Sequence, residues 1–311
     1  MVCPRALLLA AVAVRLVDGS MVCPRALFLA AVAVRLVDGL LPAQRTTVIV
    51  DIDDTIKSSG NVRLLDIPLG GIDGQYDRGA FYPGVFDFVF EMAASAPEAP
   101  PEPVAVLTAR AKEFKFALEL DESDKVVTAF REVGAARGRG GWGVAFDRVM
   151  YGSVHEWVFQ DFKGWVKFRN FEALARALGD LGGGEAPSRR YVFVGDTGEL
   201  DGQAGDLMLR VHGDICAAVF LHCVGTDPRG EGVDVPPGYD VDGRPVRFFR
   251  TYAMAAFHAL DLGFIDEAAF DRVCDAALRD CARPDDRNRR ADVLRDVEAA
   301  RSALRSRERE E

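Results

Sequence analysis

The sequence predicts an α/β fold, a doubly wound parallel sheet with helices on both faces. Three observations carry that prediction: short apolar runs recur beyond residue 45, helix-period segments separate them, and the two kinds of segment alternate. "TTVIV" (46–50), "VAVLT" (104–108), "RVMYG" (148–152), "YVFVG" (191–195) and "AAVFLHCV" (217–224) read as buried strands. Between them, "GVFDFVFEMAA" and "FRNFEALARAL" repeat their apolar residues at helical spacing.

The first forty residues stand apart. "MVCPRALLLAAVAVRLVDGS" is followed by "MVCPRALFLAAVAVRLVDGL", a duplication that differs at Leu8 against Phe28 and Ser20 against Leu40. Each copy has an Arg, a nine-residue apolar run and another Arg, resembling a short signal peptide with a poor cleavage site, and neither run approaches the roughly 20 residues needed to cross a bilayer. A duplicated first exon, or a start at Met21, accounts for the repeat equally well, so residues 1–40 are set outside the fold. Residues 45–265 read as one domain and 266–311 as a helical extension. Its first part belongs to a helical hairpin (250–282). A charged helix (284–311) follows, in which Val293, Val297 and Leu304 offer a narrow apolar stripe and solvation is the default expectation. The Gly/Pro-rich stretches "ASAPEAPPEP", "GAARGRGGWG", "GDLGGGEAPS" and "GTDPRGEGVDVPPGYDVDGRP" read as linkers.

A net charge of −10 argues against a nucleic-acid partner and gives no broad pull toward anionic membranes, so an anionic substrate must be captured by local groups. The cysteines form no CxxC pair, and Cys216, Cys223, Cys274 and Cys281 read as small core residues. His155, His212, His222 and His258 show no metal-ligand spacing and read as structural.

In doubly wound sheets, ligands bind outside the carboxyl ends of the strands. Asp51–Thr55 follow the first run, Thr108 and Arg110 the second, and "GDTGELD" (195–201) the fourth. Asp51, Asp53, Asp196 and Asp201 are therefore expected to converge from separate segments. Converging carboxylates repel and need a cation, and an oxygen-only donor set favours Mg²⁺ over zinc. One Asp after one strand is ordinarily a helix cap or turn residue. Two acidic clusters with a Thr and a Lys between them are harder to explain that way.

These residues resemble the four motifs of the haloacid dehalogenase superfamily. "DIDDT" is similar to its DxDxT, Thr108 in "VLTAR" to its second motif, Lys167 in "GWVKFRNF" to its third, and "GDTGELD" to its GDxxxxD. The longer "DIDDTIKSS", with "VFVGDTGELD", resembles more narrowly the catalytic-domain family typified by the actin-patch-associated phosphatidate phosphatase. That resemblance runs from residue 46 to about 265, through "FFRTYAMAAFHALDLGFI". It implies a haloacid dehalogenase-like Rossmannoid core with a small flap or cap and C-terminal helices, and a Mg²⁺-dependent phosphatase acting through an aspartyl phosphate.

The resemblance also implies roles. Asp51 attacks phosphorus, and Asp53 is general acid and then base, which asks for a raised pKa. Thr108 and Lys167 hold the phosphoryl oxygens. Asp51, the backbone carbonyl of Asp53, Asp196 and Asp201 bind the metal or orient its water. Lys163 lies four residues before Lys167 and shares its helical face, so either reaches the phosphate; Lys167 is favoured because Asn-Phe and a helix follow it. Asp54 is extra to the motif, either a supporting acceptor or a solvent-facing residue. Lys57, Arg63, Arg78, Arg110 and Lys112 read as surface residues by default.

The segment between the first two motifs is long enough for a flap and too short for an independent cap, which leaves the site open to bulky substrates. The resemblance implies phosphatidate, hydrolysed to diacylglycerol and phosphate, with peripheral membrane contact through the leader or the 61–83 flap. A phosphatase of proteins or soluble phosphoesters, and a non-catalytic lipid-binding module of the same fold, are the alternatives.

Overall fold

Neighbouring residues of the first strand point into two different apolar layers, and this places it at the centre of the sheet. The protein is described by a computed structural model covering residues 45–64, 67–68, 71–96, 99–111, 120–152, 163–182, 188–198, 200–227, 233–281 and 287–307. In chain order the elements are β1 (Arg45–Val50), β2 (Arg63–Leu64), β3 (Ile67–Pro68), α1 (Val85–Ala93), β4 (Val104–Ala111), α2 (Lys125–Ala136), β5 (Val144–Gly152) and α3 (Lys163–Ala177). They continue with β6 (Arg189–Asp196), α4 (Asp201–His212), β7 (Cys216–His222), β8 (Tyr239–Val241), β9 (Arg244–Phe249), α5 (Tyr252–Asp261), α6 (Glu267–Asp280) and α7 (Arg287–Arg307).

Seven strands form one sheet in the order β5-β4-β1-β6-β7-β9-β8, and every pairing is parallel except β8 with β9. β2 and β3 make a separate antiparallel pair. Val48, Val50, Val192, Val194, Ala218 and Phe220 face a core shared with α1, α2, α5, α6 and α7. Their chain neighbours Ile49, Tyr191, Phe193, Val219 and Leu221 face a second core under α3 and α4. Strands buried on both sides are largely apolar on both faces, which is why their sequence runs lack alternation. The fold is thus α/β with a mostly parallel, Rossmann-like sheet covered on both faces. Among the described residues, no helix is long and apolar enough to cross a membrane.

The structure departs from the sequence expectations in four places. β5 begins at Val144 rather than 148: it is an edge strand with exposed and half-exposed positions, and Asp147 and Arg148 break its apolar residues into two short pieces. β4 continues to Ala111, so Thr108 lies inside the strand rather than at its end. The 225–245 linker contains β8 and the start of β9, whose two-residue turn places Asp242 and Gly243 at φ 49° and 77°. Such a turn twists in the sense that antiparallel strands require, and Asp-Gly is a preferred pair for it. Finally, α7 is not a solvated helix. Val293, Val297 and Ala300 are at most 2% exposed, and α6 adds Phe270 and Val273 to the same core, so both helices beyond residue 265 pack onto the sheet-covering layer.

A buried carboxylate fastens part of that layer. Glu91 of α1 accepts two hydrogen bonds from Arg272 of α6, at 2.8 and 2.7 Å, and one from Arg137, just past α2, at 2.6 Å. Bidentate guanidinium–carboxylate pairing fixes orientation as well as distance. The free cysteines Cys216, Cys223, Cys274 and Cys281 are buried, consistent with core packing.

If α7 belongs to the core, Val297→Ala removes about two buried methylene equivalents and leaves a cavity. The expected loss is about 1.5–2.5 kcal/mol in urea unfolding, whereas a solvated helix gives a change within about 0.5 kcal/mol.

Candidate active site

The chain leaves β1 through α1 toward β4 on one side and leaves β6 through α4 toward β7 on the other. The connections part between β1 and β6, and such a switch point opens a crevice at the carboxyl ends of the strands. Asp51 sits at this point, its backbone N–H donating to Val194 O at 3.0 Å and continuing the β1–β6 ladder. Asp196 is the last residue of β6, and Asp201 is the first of α4. Carboxylate oxygens of Asp51, Asp196 and Asp201 lie within 4.8 Å of one another, and all three residues are buried.

Each element has a local reason to bring its residue here. Asp201 begins a helix, where the exposed N–H groups favour a carboxylate, and it accepts from Asp196 N at 3.3 Å. Gly195 permits the approach, since a Cβ there would lie 2.8 Å from Asp201 Cβ. On α3, Phe171 and Leu174 pack into the second core, and Lys167 shares their face four and seven residues earlier. Lys167, 3% exposed, thereby reaches Asp51 Oδ2 at 3.4 Å and forms a close ion pair with Asp201 Oδ1.

The electrostatics set the chemistry. Two carboxylates at this separation repel by roughly 3–4 kcal/mol at an effective dielectric of 20. The three carboxylates and one ammonium retain a formal charge of two negative, which a divalent cation cancels. The donors are hard oxygens, with no sulfur or imidazole in the cluster. This set fits a hard divalent metal ion and discriminates against soft ones.

The other expected site residues lie around the cluster. Thr108 is buried in β4, two positions past Val106, the register partner of Val50, and so stands level with the segment after Asp51. Asp53 is half-buried in the tight turn that follows, where its backbone bridges to Lys57 and Asp54 N donates to Lys57 O at 2.7 Å. Lys163 opens α3. Its side chain, with those of Arg63, Arg110 and Lys112, lies outside the described residues, as does His155. Arg78 is exposed, as expected of a surface residue.

Two further residues support the cluster: Asp54, left open in the sequence between a supporting acceptor and a solvent-facing residue, and His222, read there as structural. Asp54 is fully buried, and its carboxylate accepts backbone N–H groups from Ser59 at 2.8 Å, Ile72 at 2.5 Å and Asp73 at 2.9 Å. It is the supporting acceptor rather than a solvent-facing residue. Burial pushes its carboxyl up to about 6, and the amides oppose that rise. His222 ends β7 as the register partner of Asp196, with Nδ1 2.8 Å from Asp54 O and Nε2 3.2 Å from Arg250 O. Its ring stacks on Phe249 and meets Tyr82 edge-on, and burial drives its pKa down. The third carboxylate in "DIDD" was the visible signal for Asp54; nothing near His222 in sequence marked it.

Compared with known proteins, the chain matches no family model, no curated protein and no solved structure.

Because Asp201 approaches across Gly195, Gly195→Ala should displace one carboxylate of the cluster. Calorimetric titration with Mn²⁺ should show affinity lowered by about 10-fold or more. Gly140→Ala, at a glycine with open space around it and no left-handed backbone, should leave that affinity unchanged.

Proposed function

We propose that the protein is a phosphoric monoester hydrolase that works through an aspartyl phosphate on Asp51 with Mg²⁺ as its metal. The observation that carries this reading is the meeting of the Asp51, Asp196 and Asp201 carboxylates with the Lys167 ammonium in one buried cluster at the switch point. The "DIDDT" and "GDTGELD" segments that supply the carboxylates are also the ones that resemble haloacid dehalogenase motifs.

Asp51, Asp196 and Asp201 would hold the Mg²⁺, which supplies charge compensation and polarises the phosphoryl group. Asp51 donates an electron pair to phosphorus, the bond from phosphorus to the ester oxygen breaks, and Asp53 gives its proton to the departing alkoxide. Asp53, now ionised, takes a proton from water. The resulting hydroxide attacks the phosphoryl group and restores the Asp51 carboxylate with release of phosphate. Lys167, 3.4 Å from Asp51 Oδ2, offsets charge on the transferring oxygens, and the Thr108 hydroxyl offers them a hydrogen bond. The cluster is buried, so these charges act where water screens them least.

For the substrate we propose phosphatidate, converted to diacylglycerol and phosphate. Support comes from the resemblance of "DIDDTIKSS" and "VFVGDTGELD" to the phosphatidate phosphatase catalytic-domain family and from a flap too short to form an independent cap.

The test is phosphate release from phosphatidate in mixed micelles with and without Mg²⁺. The wild-type chain should need the metal, Asp51→Asn should lose activity by a factor of about 10³ or more, and Asp53→Asn by about 10²–10⁴. Hydrolysis of soluble phosphoesters alone removes the lipid substrate. Full activity in Asp51→Asn removes the mechanism.

A further inference from the structure

Asp54 lies one residue beyond the metal-binding segment, yet its three acceptor contacts reach outside it. The residue takes φ 62°, and from this left-handed turn its carboxylate reaches the segment after β3. There it holds Ile72 N and Asp73 N, while Ser59 N closes the near side. Gly71, at φ 150°, is the only residue type that fits the seam, because a Cβ would strike Asp54 Oδ2.

The segment so held then touches the loop after β6. A Cβ at Gly198 would lie 2.7 Å from Ile72 Cγ1, so the Ile72 side chain rests on that glycine. Gly198 N in turn donates to Asp196 Oδ1 at 2.6 Å. From the outside, α7 grips the same segment: Arg289 donates to Gln75 O at 3.0 Å, and its guanidinium sits 4.2 Å from the centre of the Tyr76 ring. Arg250 adds a contact to Gln75 Oε1 and an ion pair to Asp292 of α7 at 2.9 Å.

We propose that Asp54 is a positioning residue that sets the Asp196 carboxylate relative to Asp51, through Ile72 and Gly198, with α7 bracing the connecting segment. This rests on reading Asp51, Asp196 and Asp201 as the working centre. In metal sites, partners that orient the ligands typically contribute 10–100-fold to affinity or activity.

The experiment compares the full-length wild type with Asp54→Asn, Ile72→Ala and Arg289→Ala. The readouts are Mn²⁺ affinity, kcat and KM for a phosphoester, and Tm. Asp54→Asn keeps one acceptor oxygen and loses the other, and should weaken Mn²⁺ binding about 10-fold with a comparable fall in kcat and little change in KM. Ile72→Ala and Arg289→Ala should shift Mn²⁺ affinity in the same direction by smaller factors, and they carry the test should Asp54→Asn not fold. Wild-type Mn²⁺ affinity and kcat in all folded variants, with only Tm lowered, overturns the proposal. The isotherms need no turnover, so a chain that binds Mn²⁺ but hydrolyses no phosphoester discards the phosphatase reading while the coupling is still decided. A wild-type chain that binds no Mn²⁺ overturns the coupling.

Discussion

Three carboxylates held within 4.8 Å in a buried crevice repel one another, and much of the local structure serves to hold them there. The constraint selects residues that have no other evident reason to be where they are. Gly195 is a glycine because Asp201 crosses over it. Lys167 is buried on an otherwise apolar helix face because Asp51 and Asp201 receive its charge. Burying that ammonium away from carboxylates would carry a heavy desolvation cost, so the lysine and the cluster explain each other.

The sheet supplies the rigidity this arrangement needs. β1 and β6 are central strands with helices on both faces, so Asp51 and Asp196 extend from a well-packed part of the molecule. Preorganisation of this kind lets charged groups act without reorganising during reaction. Asp201 and Lys167 come instead from helices on one face, and their positions depend on how α3 and α4 pack against Leu107, Phe193 and Leu221. The opposite face carries α7, which is far from the cluster in sequence and yet contacts the Gln75–Tyr76 segment beside it.

The central strands and their acidic ends were legible in the sequence because each strand is buried on both sides and its loop carries the polar outliers. The meeting of Asp51 with Asp196 and Asp201 was expected because their segments follow strands of one parallel sheet, at the carboxyl ends where ligands bind. What escaped has physical reasons. β5 is an edge strand, and its Asp147-Arg148 pair cuts the apolar residues Val144 to Phe146 off from the run that follows. The β8–β9 hairpin was announced by Asp242-Gly243, but the surrounding Gly/Pro-rich composition masked the signal. The apolar stripe of α7 was visible at Val293 and Val297, but a helix with many arginines reads as solvated until its partners are known. The acceptor role of Asp54 depends on Ile72 and Asp73 folding back over it, a long-range contact with no local pattern.

In the proposed mechanism Asp51 is both a metal ligand and the nucleophile whose carboxylate oxygen takes the phosphoryl group. Mass spectrometry of the chain after acid quenching during turnover with Mg²⁺ and phosphatidate addresses that directly. If Asp51 is the nucleophile, the peptide containing it carries the added mass of one phosphoryl group, hydroxylamine removes it, and Asp51→Asn lacks it. Continued turnover with no phosphorylated peptide, or with the phosphoryl group on a different residue, would contradict the account.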